Sequence, residues 1–347
     1  MKYSDINIFC CPECRGRLKF FEINGFDKDL DCQEVTEGSI NCMSCDAIYP
    51  VIKSIPRFVS RNNYASSFGY QWKKFSRTQF GGNQKQIAKV RFEATTKWPD
   101  NLKGQLILEA GCGAGRFSEI ALDTGAEVYS FDLSDAVEAD MANIKSLELK
   151  MRHHLFQADI YKIPLPCEMF DKIFCFGVLQ HCPDVKKAYL SLIPFLKREG
   201  ELVVDCYLSQ PLKDAFNLKY LLRPFFKWWK PSWLFAFCSV MISVIYDIKS
   251  SFAKIPMVGK LISRLIPIGR LNYEPDYYFS VPEIKEIKTL SMFDMLSPKY
   301  DQPQRISNFR LWMQGAGLEI LELTTGYNGI NARGRRTIES VGHRIEK

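Results

Sequence analysis

The sequence is short of histidine, with four in 347 residues, and it has no long apolar run. Its longest uncharged stretch, Pro231 to Tyr246, falls short of the roughly 18 apolar residues that mark a bilayer-spanning helix. Three serines interrupt it, so a spanning segment is not expected. Residues 1–14 carry Asp5 and no apolar core of signal-peptide length, so export by that route is not expected. The expected location is the cytoplasm, with peripheral membrane contact as a variant. Neither an internal repeat nor a low-complexity tract is present. Charge of one sign is not in large excess either: 46 basic and 39 acidic residues leave +7, which does not by itself imply nucleic acid.

What is abundant is apolar and aromatic. The chain is 46% hydrophobic, with 25 Phe, 15 Tyr and 6 Trp, enough to bury a core and exclude disorder as the main state. Its length suits about two folding units. Twelve cysteines in a reducing compartment are not expected as disulfides. Eight of them, Cys10, Cys32, Cys112, Cys167, Cys175, Cys182, Cys206 and Cys238, lie scattered among apolar neighbours and read as small buried hydrophobes.

The remaining four make two Cys-x-x-Cys knuckles, Cys11-Pro-Glu-Cys14 and Cys42-Met-Ser-Cys45. Two residues between thiolates let both sulfurs reach one zinc, and two knuckles complete a closed four-sulfur structural site. A redox dithiol and chance spacing are the alternatives, and Cys10 stands beside Cys11 as a substitute ligand. The segment between the knuckles, residues 15–41, is longer than the roughly 15 to 20 residues usual for such sites.

Four segments follow. Residues 1–60 form the cysteine-punctuated unit, and 61–104 an aromatic connector ending in a helix with Ile87, Val90, Ala94 and Trp98 on one face. Residues 105–208 alternate strand, glycine turn and helix, the signature of a doubly wound α/β sheet. Expected strands are Leu106–Ala110, Glu127–Phe131, His154–Gln157, Lys172–Phe176 and Glu201–Cys206. Expected helices are Arg116–Leu122, Ser134–Leu147 and Asp184–Leu196. The pattern breaks over 209–299, read as a helical insertion. It resumes over 300–347 with a helix at Gln304–Met313 and strands at Leu318–Leu323 and Arg336–Ser340.

Glu109-Ala-Gly111-Cys112-Gly113-Ala-Gly115 sits between the first strand and helix. Glycines there admit close backbone approach to a ligand and aim helix N-terminal amides at it. Asp132 ends the next strand, where a carboxylate can hold ribose hydroxyls. The third glycine of the dinucleotide pattern is replaced by Arg116, which disfavours NAD and leaves another adenosine ligand. Downstream lie Ala158-Asp159-Ile160 and Gly177-Val-Leu-Gln-His181.

These residues resemble the class I S-adenosylmethionine-dependent methyltransferases, in their small-molecule and quinone-biosynthesis-like branch. The resemblance covers residues 105–206 well and 303–340 loosely. It implies a seven-stranded Rossmann-like sheet and an S-adenosylmethionine cofactor. By that resemblance Gly111, Gly113 and Gly115 pack under the methionine part, Asp132 binds the ribose hydroxyls, Asp159 with Ile160 holds the adenine, and Glu109, Cys112, Leu133 and Gly177 belong to the same cofactor site. A turn cap is the alternative for Asp159. His181 follows the fourth strand at the ligand-binding edge. It is either a general base for a hydroxyl acceptor or a local hydrogen-bonding residue. The knuckles, with Ala47-Ile-Tyr-Pro50 and Ile55-Pro-Arg-Phe58, resemble the zinc ribbons of the small activator subunit of tRNA and translation-factor methyltransferases. Ribosomal-RNA guanine methyltransferases also carry an N-terminal ribbon.

The acceptor implied is a small molecule, a sugar or a lipid-linked saccharide, methylated at oxygen. An RNA base and a non-catalytic binding or activator role are the alternatives. Residues 211–270 hold Lys213, Lys219, Arg223, Lys227, Lys230, Lys249, Lys254, Lys260, Arg264 and Arg270 against Asp214 and Asp247 alone. Phe225, Phe226, Trp228, Trp229, Trp233, Phe235 and Phe237 are interleaved. This segment reads as a packed cap or lid, a membrane-surface element or an RNA-stacking surface. Tyr64, Tyr70 and Trp72 are expected to close over the cofactor. Arg333, Arg335 and Arg336 are candidates to hold an anionic acceptor group.

Overall fold

The computed structural model describes residues 1–27, 34–60, 63–78, 80, 82–144, 146–210, 218–252 and 279–337. Cys32, Lys213, Lys254, Lys260, Arg264, Arg270 and the expected strand residues 338–340 lie outside them.

The two knuckle turns bracket an antiparallel meander of β1 (Leu18–Asp27), β2 (Glu34–Cys42), β3 (Ile48–Ile52) and β4 (Ile55–Pro56). Leu18, Val35, Ile40 and Val51 point inward and form its small core. Just past β4, Phe58 N donates to Gln157 O at 2.8 Å, and Arg57 pairs with Gln157 in parallel. The meander therefore covers an edge of the main sheet, where an open strand would leave backbone groups unpaired. Phe9 and Phe58 add a ring cluster with Phe156, at centroid separations of 5.3 and 6.4 Å.

The connector folds as α1 (Ser66–Lys74) and α2 (Gly82–Thr96). The buried face of α2 is Gln84, Ala88, Phe92, Thr95 and Thr96, while Val90 and Ala94 are exposed. The apolar spacing of Ile87, Val90 and Ala94 thus selects the wrong face. Phe92 decides the matter by packing against Trp98, Phe174 and Phe176 at 5.8, 5.4 and 6.2 Å, since one aromatic buries more area than two small aliphatics.

Seven strands make the main sheet: β5 (Leu106–Ala110), β6 (Glu127–Asp132), β7 (His153–Gln157), β8 (Phe170–Cys175), β9 (Leu196–Cys206), β10 (Leu318–Gly326) and β11 (Gly329–Arg336). Their order is β10-β11-β9-β8-β5-β6-β7, and β11 alone runs against its neighbours. The central strands are buried on both faces, as a sheet covered by helices requires. The last strand lies earlier than expected because Tyr327-Asn328 forms a two-residue hairpin turn ahead of Gly329, a position with φ +111° that favours glycine.

Around the sheet lie α3 (Ser118–Asp123), α4 (Val137–Asn143), α5 (Leu147–Met151) and α6 (Val185–Leu192). The expected helix Ser134–Leu147 is replaced by α4 and α5. Ser134 instead turns its hydroxyl onto Asp132 Oδ1 at 2.7 Å.

Within 209–299 the described residues form three helices: α7 (Leu218–Phe226), α8 (Pro231–Phe252) and α9 (Val281–Leu296). Leu234, Cys238 and Ile242 of α8 pack on Met292, Phe293 and Leu296 of α9. Asp301 takes the Arg223 guanidinium at 2.7 Å. Ser280 and Glu283 close a reciprocal cap at the start of α9, satisfying its first amides. The chain returns to the sheet through α10 (Ile306–Gly315).

Candidate active site

The glycine turn leaves β5 with its amides directed back across the sheet: Gly111 N and Cys112 N donate to Phe131 O at 2.7 and 3.0 Å. A Cβ at Gly111 would stand 2.2 Å from Val178 Cγ2, and one at Gly115 would stand 2.4 Å from Asp140 Oδ1. Both have positive φ, +82° and +86°, so only glycine fits in space and in backbone angle. At Gly113 a Cβ would meet Trp72 Nε1 at 3.1 Å.

Asp132 ends β6 opposite this turn. Its Oδ2 accepts from Gly113 N at 3.1 Å, and its Oδ1 from Ser134 N and Oγ at 2.8 and 2.7 Å. Burial raises the pKa of this carboxyl above the ordinary aspartate value, and the hydrogen bonds from Ser134 and Gly113 oppose that shift.

A cavity of about 290 Å³ opens above the turn. Of the expected site residues, Gly111, Cys112, Gly113, Asp132, Leu133, Ile160, Gly177 and His181 line it. Tyr64 and Trp72 line it too, from the connector. The insertion supplies Ile287, Leu290, Ser291 and Asp294 of α9 as a roof. Gln71 Nε2 donates to Asp294 Oδ1 at 3.3 Å and joins connector to roof. Part of the insertion thus lines the cavity.

Three expected residues do not line the cavity. Glu109 is buried beneath the turn, where its Oε2 accepts from Ser118 Oγ at 2.6 Å and Ser130 Oγ at 2.8 Å. Burial pushes its pKa up to about 7. Gly115 lies against Asp140, whose carboxyl is raised well above its ordinary value by burial and then by the Glu109 charge. Asp159 sits between lining residues Ala158 and Ile160, but its Oδ1 caps the turn by accepting from Tyr161 N at 3.0 Å. Tyr70 also departs from expectation, packing between Phe235 and Phe293 at 6.3 and 6.0 Å.

The three C-terminal arginines are likewise engaged elsewhere. Arg333 pairs with Glu322 at 3.2 Å, Arg335 with Glu201 at 3.1 Å and Arg336 with Glu168 at 2.6 Å. None lines the cavity, because β11 carries them along the sheet where acidic partners already stand.

His181 is buried in a one-turn helix after β8. Its Nδ1 is 3.0 Å from Tyr300 O. A carbonyl only accepts, so Nδ1 carries a proton in this contact. Phe68 and Tyr207 flank the ring at 5.1 and 5.6 Å.

Sequence pattern does not single out a polar group on the other wall. Arg91 of α2 pairs with Asp205, whose Oδ1 also accepts from Gly177 N at 2.6 Å and Asn328 Nδ2 at 3.0 Å. Arg91 and Arg116 both lie over the Phe117 ring, at 5.3 and 5.0 Å, and both line the cavity. The one available signal is the place of Asp205 near the end of β9, at the carboxyl edge of the sheet.

At the N-terminal unit, the sulfurs of Cys11, Cys14, Cys42 and Cys45 lie within 4.8 Å of one another. The Cys11–Cys45 and Cys14–Cys42 separations are 3.7 and 3.4 Å. A tetrahedron with Zn–S bonds of about 2.3 Å has edges of about 3.8 Å, so the donor set and its spacing fit zinc. Arg15 and Asp46, one residue past each knuckle, share a left-handed conformation with φ +64° and +56°. Cys10 stands outside the cluster and donates its amide to Pro164 O at 3.0 Å, so Cys11 is the member of that knuckle in the four-sulfur cluster.

Residues 108–204 match the methyltransferase domain family. A ubiquinone biosynthesis O-methyltransferase of Alkalilimnicola ehrlichii is 27% identical over 141 residues, 40% of this chain and 57% of that protein. A malonyl-[acyl-carrier protein] O-methyltransferase of Serratia marcescens is 30% identical over 33% of this chain and 44% of its own length. The chain spans about half the length of the first curated relatives it matches. Among solved structures, magnesium protoporphyrin IX methyltransferase from Synechocystis, with bound SAH, is 16% identical with a TM-score of 0.45. That match covers 79% of this chain and 97% of the other. Behind its N-terminal four-cysteine unit, this chain is therefore similar to methyltransferase domains over residues 108–204.

Proposed function

We propose that the chain transfers a methyl group from S-adenosylmethionine to an oxygen of a small-molecule, sugar or lipid-linked saccharide acceptor. The observation that carries this reading is one cavity bounded by the glycine turn, Asp132 and His181 together. The residues present suit such a cofactor, since the glycine turn and the Asp132 carboxylate line the same cavity. Gly111 and Gly113 hold the amino-acid end, and Arg91 and Arg116 offer guanidinium groups to its carboxylate. Asp132 accepts from the ribose hydroxyls, and Leu133, Ala158 and Ile160 flank the adenine. When bound, S-adenosylmethionine supplies a methyl group on a positively charged sulfur.

The protein's own work is then positioning and proton removal. Trp72, Tyr64 and the α9 roof exclude water and hold the acceptor in line, which is the main source of rate in a displacement of this kind. His181 Nε2 takes the hydroxyl proton, while the Nδ1–H to Tyr300 bond fixes the ring and its tautomer. Asn328 and Tyr207 line both this cavity and a more open one beside the β10–β11 turn, a path by which the acceptor reaches the site.

The test is label tracking with methyl-labelled S-adenosylmethionine and a fractionated host extract. Label in the small-molecule or lipid fraction supports the reading. Label in RNA would make the ribbon and the basic insertion a recognition apparatus and overturn the acceptor class. Absence of any transfer would overturn the activity.

A further inference from the structure

Among the described residues, nothing covers the outer side of α8. At 100° per residue, Trp233, Val240, Val244 and Ile248 fall within an arc of roughly 80°, and they are 67%, 62%, 48% and 40% exposed. The inner stripe, Leu234, Cys238, Ile242 and Ile245, is buried and lies about 120° around the helix. Only 17% of the segment Pro231–Ile248 is buried, and by length and composition it could cross a membrane. The 22-residue helix outruns the uncharged stretch because Asp247 is accommodated by Lys285 at 2.9 Å.

A spanning orientation conflicts with the packing. α9 is fastened along the inner stripe and carries Glu283, Lys285, Glu286 and Lys288, charges that hydrocarbon does not tolerate. The exposed end of α8 has a different character. Trp228 and Phe225 are each 72% exposed, and Lys227 and Lys230 lie over the Trp228 and Trp233 rings at 5.2 and 5.7 Å. Tryptophan with lysine beside an apolar stripe is the composition that settles at a headgroup boundary. Lys227 and Lys230 stand at this end of the insertion, and no acidic residue occurs between positions 218 and 246. That local positive charge complements an anionic surface.

We propose that the insertion docks flat on an anionic lipid bilayer, with the Trp233–Ile248 stripe inserted and Lys227 and Lys230 at the phosphates. Docking does not depend on the methyl-transfer reading. It gains a consequence from it, because α9 packs on α8 with Phe293 while its Ile287 and Leu290 line the cavity. The docked face is then one helix away from the site.

The experiment is co-sedimentation of the full chain with phosphatidylcholine vesicles, with and without about 30% phosphatidylglycerol, together with light scattering. The expected result is partition at least about tenfold greater on the anionic vesicles, with a blue shift of tryptophan emission and weakening by salt. Trp228→Ala with Trp233→Ala, and separately Val240→Ser with Val244→Ser, should each lower partition at least about fivefold. These side chains are exposed, so an unchanged thermal midpoint certifies the fold. Absence of vesicle binding overturns the proposal. So does partition unaffected by both pairs, recovery of the protein only in detergent, or a dimer that the same substitutions dissociate.

Discussion

Gly113 donates its amide to Asp132 Oδ2 at 3.1 Å, so the turn after β5 and the end of β6 are one rigid unit. The carboxylate that faces the cavity is also the group that fixes the turn's shape. Ser134 holds the other carboxylate oxygen from two directions. A ligand that meets both the glycine backbone and Asp132 therefore finds a surface already organised, at little ordering cost.

The floor of that unit is testable at Gly115. Its φ of +86° and the 2.4 Å approach of Asp140 Oδ1 to an added Cβ predict that Gly115→Ala costs about 2–4 kcal/mol. Urea denaturation monitored by circular dichroism measures it. A loss below about 0.5 kcal/mol would mean that the turn relaxes freely.

The pH dependence of stability should carry the signature of Glu109. Its pKa in the folded chain is about 7, against about 4.3 in an unfolded one. The folded state thus keeps a proton that the unfolded chain releases. This contribution is complete below about pH 4.3 and is lost as pH rises to about 7. Glu109→Gln removes the titrating group, so its stability relative to the parent should rise by roughly 4 kcal/mol across that window. Parallel profiles for the two proteins would contradict this role for Glu109.

Much of this architecture is legible in the amino-acid sequence. Glu109 to Gly115, Asp132 and the central strands announce themselves by composition, because a parallel strand buried on both faces must be apolar and a tight turn must be glycine. Arg91, Asp205 and Asp294 are not legible in that way. They meet only after α2, β9 and the insertion have packed, and no local spacing encodes that meeting. The three arginines of β11 show the converse error. A run of like charge looks available in sequence, yet Glu201, Glu319, Glu322 and Glu168 wait for it across neighbouring elements. Asp159 reads as a ligand from its place after β7 and is engaged by its own turn.

The four-cysteine unit should hold one zinc per chain, visible by mass spectrometry under native conditions. Chelation should lower the thermal midpoint by at least about 5 °C, because the knuckle is stitched to the loop between β7 and β8 through Cys10 N to Pro164 O and Arg15 to Ile163 O. A reduced, freshly purified sample without metal would remove the assignment.

His181→Gln should lower turnover about 100-fold at neutral pH and leave cofactor affinity unchanged. The deficit should shrink at high pH, where the hydroxyl acceptor needs less help. Rates within about threefold of the parent at both pH values would assign His181 a structural role only.

The most direct test is calorimetric titration of the purified chain with S-adenosylmethionine. Saturable binding is expected at one site per chain, weakened at least about tenfold by Asp132→Ala. Absence of binding to a folded protein, or an affinity that Asp132→Ala leaves unchanged, would contradict the cofactor site.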